Sequence, residues 1–252
     1  MKHLFLSDVH LGAFTDDENE RLEKDLISLI EYAIENKIHL HILGDLFDYW
    51  MEFGATIPNY GRNVLDHFEN YNLKLAPATY ITGNHDNWTL GYFKKIGFDV
   101  HSDFKELNTG AHSFFLHHGD GLADPEYNLQ RPLVHKVLRH PLFTSAYRKI
   151  FNPDTGIDLM KQFSDFSRAN PDQKPDRLNR WSKSFLKNTS YDFVVSGHDH
   201  IARVETFSFG TYINLGTFYG DKTVALYNNN QLSLVRWDAE YRQLKTVNTL
   251  HE

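Results

Sequence analysis

No cysteine occurs in the 252 residues, which excludes a disulfide framework, a thiolate metal site and a cysteine nucleophile. Zero cysteine is compatible with a reducing cytoplasm. Long apolar runs are also missing, since no window approaches the roughly 18 apolar residues that a membrane span needs. The opening MKHLFLSDVH breaks its apolar stretch at Ser7 and Asp8, too early for a secretory signal. A cytoplasmic location is therefore expected, at most peripheral to a membrane. An excess of positive charge is absent as well: 26 Lys and Arg against 33 Asp and Glu leave −7, so no nucleic-acid partner is expected. Neither an internal repeat nor a low-complexity linker interrupts the chain. What is present is ordinary globular composition, 41% hydrophobic and 23% charged, with enough length for a sizeable core. The count that stands out is 15 histidines, which is easily explained if several are metal ligands.

The first half has a β-α-β-α-β rhythm. Residues 3–7 read as a buried strand, 18–36 as a helix with Asp16 or Asp17 at its N-cap, and 38–43 as a second strand. Residues 60–72 follow as a helix, 78–82 as a third strand and 88–96 as a short helix. This order argues for a parallel sheet with right-handed crossovers. Two strand patterns lie within 99–117, a mostly helical region spans 126–188, a strand covers 192–196, and 201–236 alternates like an antiparallel tail. The expected architecture is one mixed α/β domain over 1–252, a sandwich with a helical insertion at about 126–188 acting as a cap.

Five polar segments each follow a predicted strand: Asp8-Val9-His10, Gly44-Asp45, Gly83-Asn84-His85-Asp86, His117-His118-Gly119-Asp120 and Gly197-His198-Asp199-His200. Ligands of open α/β sheets bind beyond the carboxyl ends of the strands, so these segments should converge. Asp, Asn and His together suit Mn, Fe, Zn or Mg rather than a soft metal. Two ions about 3.5–4 Å apart need a bridging carboxylate, and Asp45, alone in its segment, is the natural bridge. The glycines before Asp45, Asn84 and His198 are read as turn residues. His117 and His118 are neighbours on a strand and point to opposite faces. Taken singly, any of these segments reads as an ordinary turn or core histidine; their repeated context favours a metal centre.

D-x-H, G-D, G-N-H-D, H-G-D and G-H-x-H in this order resemble the calcineurin-like metallophosphoesterase superfamily. The resemblance implies a β-sandwich flanked by helices and two divalent ions. It implies that Asp8, His10, Asp45 and His200 hold one ion, and that Asp45, Asn84, His118 and His198 hold the other. His118 matches the motif histidine and His117 does not. His85 matches the family's catalytic histidine near the leaving-group oxygen, where its protonated form would donate. The implied reaction is metal-assisted, in-line displacement at phosphorus, with Asp45 and His85 in the catalytic roles.

The insertion narrows the substrate. Between Glu126 and Asp154 there is no acidic residue, while Arg131, Lys136, Arg139, Arg148 and Lys149 alternate with apolar side chains at helical spacing. Such a segment grips amphipathic anions or lies on a membrane surface, or packs its apolar stripe on the core. A second basic series, Lys174, Arg177, Arg180 and Lys183, reads as a solvated helix face. Gly44-Asp45-Leu46-Phe47-Asp48-x-Trp50, with His118-Gly119-Asp120-x-Leu122 followed by Asp124, Tyr127, Arg131 and His135, resembles the bacterial UDP-2,3-diacylglucosamine pyrophosphohydrolases of lipid A synthesis. Such enzymes use Mn2+ and release UMP and a lipid 1-phosphate at the inner face of the cytoplasmic membrane, so the resemblance implies a nucleotide-linked glycolipid as partner. It places Asn84, His85, Asp124, Tyr127 and Arg131 at the substrate. The subfamily usually carries Arg where this chain has His85. Two rival readings remain: another metallophosphoesterase acting on nucleotides or phosphodiesters, and a non-catalytic interaction module on the same fold.

Overall fold

The computed structural model describes residues 1–54, 56–169 and 176–247, without the side chains of 163–169. Lys174 of the second basic series lies outside the described residues. Two sheets face each other. The first runs through β1 (Lys2–Leu6), β2 (Ile38–Ile42), β3 (Thr79–Ile81) and β4 (Asp99–His101), all parallel. Its other side is β10 (Thr223–Asn228), antiparallel to β1, then β11 (Gln231–Asp238) and β12 (Gln243–Thr246). The second sheet has the order β5 (Phe104–Asn108), β6 (Ser113–His117), β7 (Phe193–Ser196), β9 (Gly210–Asn214), β8 (Arg203–Phe207). The mixed α/β sandwich is thus as expected. The tail is not one antiparallel unit. It divides between the sheets, and β9 pairs parallel with β7. The 99–117 stretch holds three strands rather than two.

Phe5, Leu43, Ile81, Phe114, Leu116, Val195 and Ile213 fill the space between the sheets. Burial of this kind contributes about 25 cal/mol per Å2 of apolar surface. The helices α1 (Asp16–Asn36) and α2 (Arg62–Lys74) cover the outer face of the first sheet. The N-cap of α1 is Thr15 rather than Asp16 or Asp17, and its backbone N–H and hydroxyl both donate to Glu18 at 3.1 and 2.7 Å. Thr-x-x-Glu is a capping-box pattern. The helix expected over 88–96 shrinks to α3 (Tyr92–Lys95), because Trp88 is drawn into a bridge with Met51.

The inserted region contains a 3-10 turn at Pro125–Tyr127, then α4 (Leu133–Leu138), α5 (Pro141–Ile150), α6 (Pro153–Ala169) and α7 (Arg177–Asn188). Its apolar residues divide in two. Tyr147, with Phe143, Phe151, Ile157 and Met160, packs on Met51, Phe53 and Trp88. Leu133, Leu142 and Ile150 stay largely in solvent, at 77%, 75% and 73% exposure. Helix α7 buries Leu178, Trp181, Phe185 and Leu186 against Phe115, Val194 and Tyr212 of the second sheet. It therefore flanks the second sheet of the sandwich. Among the described residues no helix is long and apolar enough to cross a membrane.

Candidate metal centre

The segment after each of β1, β2, β3, β6 and β7 turns out at the same end of the sandwich. Five of the seven expected ligands do so in the left-handed region: Asp8, His10 and Asp45 at φ 52°, 51° and 52°, His198 and His200 at 71° and 57°. Such conformations cost non-glycine residues about 1–3 kcal/mol each and persist only where the surroundings enforce them. Backbone bonds between the loops do this. Asp8 N–H donates to Gly44 O at 3.1 Å, and the N–H groups of Val9 and His10 both donate to Asp45 O at 2.9 and 3.0 Å. The sequence carries no sign of this strain.

The side chains converge. Asp8 Oδ1 lies 3.1 Å from His200 Nε2, whose other close neighbour is His10 Nε2 at 3.3 Å. On the other side, His118 Nε2 lies 3.2 Å from Asp45 Oδ2 and 3.1 Å from Asn84 Oδ1. Donors sharing one ion at bonds of about 2.0–2.2 Å stand roughly 2.8–3.6 Å apart, so both halves fit divalent cations. Asp45 Oδ2 also lies 3.9 Å from His10 Nε2, which puts its carboxylate between the halves. His198 stands edge-on to His118, with ring centroids 5.0 Å apart, and its N–H donates to Asp8 Oδ2 at 3.0 Å. His85 comes as close as the expected ligands, since donor atoms of His10, Asp45 and His85 lie within 4.8 Å of one another.

The sequence profile of the calcineurin-like phosphoesterases matches residues 1–202. The chain belongs to the calcineurin-like phosphoesterase family. Among curated relatives, UDP-2,3-diacylglucosamine hydrolase of Porphyromonas gingivalis is 26% identical over 79% of this chain and 83% of its own length. The hydrolases of that name from Aliivibrio fischeri and Vibrio parahaemolyticus are 25% and 29% identical, each over 93% of this chain and 98% and 97% of their own. Family membership implies a metal-dependent hydrolase with divalent ions at this centre.

The phosphoesterase motifs explain their glycines in two ways. Gly44 has φ 91° and needs its freedom for the turn. Gly83 and Gly197 lie outside the positive-φ range, so the turn reading fails for them. What they need is the absence of a side chain. A Cβ on Gly83 would lie 2.0 Å from Asp45 Oδ1, and one on Gly197 would lie 2.1 Å from Asp8 Oδ2.

Electrostatics show a pocket that demands positive charge. Burial works to lower the pKa of His10, but Asp48, Asp8 and Asp45 outweigh it and raise it to about 10. Burial likewise opposes Asp45 at His118, and again the carboxylate wins, raising the imidazole to about 10. Asp8 and Asp45 stay ionised in spite of burial, held down by the histidines around them. Protons supply that charge where divalent ions would supply it to neutral imidazoles. The rings are oriented for the purpose. His118 Nδ1 donates to the carbonyl of Leu43 at 2.8 Å, so it keeps its proton in either state, and Nε2 would offer a lone pair toward Asp45 and Asn84 once a cation replaces its proton. His10 Nδ1 is steered by Asp48 Oδ1 at 3.4 Å. Sequence reasoning gave Asp48 no role, although it sits in the Gly-Asp-Leu-Phe-Asp run. Asp86, too, has a job the motif did not reveal. It accepts from Leu46 N–H at 2.8 Å and Gly83 N–H at 2.7 Å, fastening two ligand loops together.

His85 lies beside the cluster, almost fully buried. Burial lowers its pKa, the carboxylates Asp45 and Asp48 only partly countering it. Its Nδ1 donates to the carbonyl of Asp48 at 2.7 Å, which leaves Nε2 with the lone pair in the neutral ring. His117 is turned away from the cluster, fully buried and edge-on to Trp181 at 4.9 Å.

A cavity adjoins the cluster, lined by Asp48, Tyr49, Trp50, Met51, Asn84, His85, Asn87, Trp88, His135, Leu138 and Met160. Asn84 and His85 line it, and Asp124, Tyr127 and Arg131 do not. Asp124 accepts from Glu126 N–H at 2.9 Å and caps the 3-10 turn. Tyr127 packs among Phe104, Phe115 and Phe185. Arg131 pairs with Asp103 at 2.7 Å and Asp120 at 3.3 Å. The cavity residues that sequence reasoning missed, Trp88 and Met160, carry no motif signal because an apolar residue in a loop or a helix reads as core.

Proposed function

We propose that this chain hydrolyses the pyrophosphate of an acylated UDP-sugar, UDP-2,3-diacylglucosamine, to UMP and the lipid 1-phosphate. The observation that carries this reading is the junction of two unlike surfaces. A cluster built for divalent cations opens directly into a cavity walled by Trp50, Met51, Trp88, Leu138 and Met160, beneath a helical cap. A substrate that is a phosphoanhydride at one end and hydrocarbon at the other matches both. The names of the relatives support the same substrate.

In this proposal Asp8, His10, Asp45 and His200 hold one ion, and Asp45, Asn84, His118 and His198 hold the other, with Mn2+ as the metal. When bound, the ions supply Lewis-acid polarisation and a nucleophile at neutral pH. The protein's own part is orientation. Asp48 and the carbonyl of Leu43 aim the lone pairs of His10 and His118. Asp45 also accepts the backbone N–H of His85 at 3.0 Å, tying the bridge to the catalytic loop. His85 acts on the leaving-group side, where an incoming phosphate raises its pKa by opposite charge. Arg in the subfamily carries that charge permanently, so His85 brings a pH dependence that Arg lacks.

Leu133, Leu142 and Ile150, exposed beside Lys136, Arg148 and Lys149, make the outer cap the surface for a peripheral membrane contact. The test compares acylated UDP-glucosamine, UDP-N-acetylglucosamine and a chromogenic phosphodiester with Mn2+ present. The acylated sugar should turn over at least a hundredfold better in kcat/KM. Equal turnover of a soluble substrate would move the assignment to a nucleotide phosphodiesterase of the same family.

A further inference from the structure

Two guanidinium groups and an imidazole of the cap point at one buried acid. His135 lies within α4, Arg131 just before the helix and Arg139 at its C-cap. All three reach Asp120, which is 1% exposed: Arg131 Nε at 3.3 Å, His135 Nδ1 at 3.7 Å and Arg139 Nη2 at 3.0 Å. Asp120 stands two residues after the ligand His118. Arg139 goes further. Its Nη2 donates to Gly83 O at 2.6 Å and Thr82 O at 3.2 Å, and its Nη1 to Thr82 Oγ1 and Ser102 O, both at 2.9 Å. Gly83 immediately precedes Asn84. Beside this contact, Trp88 Nε1 donates to Leu138 O at 2.9 Å. One guanidinium at the end of α4 therefore holds the loops that carry Asn84 and His118, two of the expected donors of one half of the cluster.

We propose that Arg139, sharing the anchor Asp120 with Arg131, is a positioning residue that couples attachment of the cap to occupancy of the Asn84/His118 ion site. The inference deepens the two-ion reading above and rests on it. Its physical basis is shared ordering. A bound ion fixes the Gly83–Asn84 and His118–Asp120 backbones, and those backbones present the acceptors that Arg139 grips. Docking the cap fixes the same acceptors before the ion arrives. Each event removes part of the ordering cost of the other, and linkage makes the effect reciprocal. A strut with no such coupling lowers stability equally with and without metal.

The experiment uses no substrate. Amide exchange across residues 133–150 is followed with and without Mn2+, and Mn2+ affinity is measured by calorimetry, in wild type, Arg139→Ala, Arg139→Lys and the exposed control Lys136→Ala. Mn2+ should slow exchange of the cap in wild type and in Lys136→Ala. In Arg139→Ala that protection should vanish and the Asn84/His118 site should lose tenfold or more in Mn2+ affinity, the range for partners behind a ligand. Arg139→Lys, which keeps a cation on Asp120 but lacks the fork, should fall between. Wild-type exchange that ignores Mn2+ overturns the coupling even if Arg139→Ala fails to fold. Equal protection and Mn2+ affinity within twofold in a folded Arg139→Ala overturn it as well. A protein that shows the coupling but leaves the acylated UDP-sugar intact defeats the substrate assignment alone.

Discussion

Replacing Gly83 by alanine is a single-methyl probe of the shared carboxylate. The added Cβ would sit 2.0 Å from Asp45 Oδ1 and 2.7 Å from Asp45 N, whereas real contacts stay beyond 3.0 Å. Gly83 does not occupy the left-handed region, so the backbone accepts alanine and the clash alone is tested. The carboxylate must retreat by about 1 Å, five times the roughly 0.2 Å within which metal–ligand distances are held. Displacements of that size in an active site cost on the order of a hundredfold in rate. Because Asp45 faces both halves, Gly83→Ala should lose both ions on dialysis and fall at least a hundredfold in kcat/KM. Gly197→Ala presses on Asp8 instead, at 2.1 Å, and should release only the ion of the Asp8, His10 and His200 half. Elemental analysis after dialysis, with circular dichroism to verify folding, reads the difference. A folded Gly83→Ala that keeps two ions at wild-type affinity would refute the shared role of Asp45.

Further outcomes follow from the same geometry. His118→Ala should strip metal and activity, whereas His117→Ala, lost from a buried face against Trp181, should lower the melting temperature and leave Mn2+ affinity within a few fold; equal metal loss would reverse the assignment. Asp48→Asn should weaken metal binding about 10–100-fold by removing the anion behind His10, and calorimetry giving unchanged affinity would dismiss that role. His3, lowered to about 4 by burial and then by His39, and His41, lowered by burial and then by His3, are neutral when folded. Unfolded, they take protons near pH 6.5, so the stability they protect is complete above that pH and is lost as pH falls toward 4. Urea midpoints of the metal-free protein should decline over this window by up to about 1.4 kcal/mol per pH unit for each histidine, and His41→Gln should flatten the decline; an identical slope in the variant would count against it.

The sequence was readable where chemistry recurs in context. A β-like run followed by Asp, Asn or His, repeated along the chain, announced both the parallel strands and the end at which ligands gather. Partner choice was less readable. Alternation in 201–236 marks strands, but nothing in it says that β8 and β9 join one sheet and β10 to β12 the other. The supporting acids were hidden for a related reason. Asp48 reaches a histidine 38 residues away, and Asp120 an arginine 19 residues away, so no local period connects them. The glycines show the same limit, since Gly83 and Gly197 look like turn formers and are in fact spaces for the carboxylates of Asp45 and Asp8. The basic, apolar insertion allowed packing and exposure alike. Its residues are sorted by face, with Tyr147 turned in and Leu133, Leu142 and Ile150 turned out.

The most direct test treats chelator-stripped protein with acylated UDP-glucosamine, restores Mn2+ in steps, and resolves the products. The account predicts no turnover without metal, then UMP and the lipid 1-phosphate in equal amounts as two ions per chain are taken up. Metal-independent release of UMP, or full metal loading with the acylated substrate left intact, would contradict it.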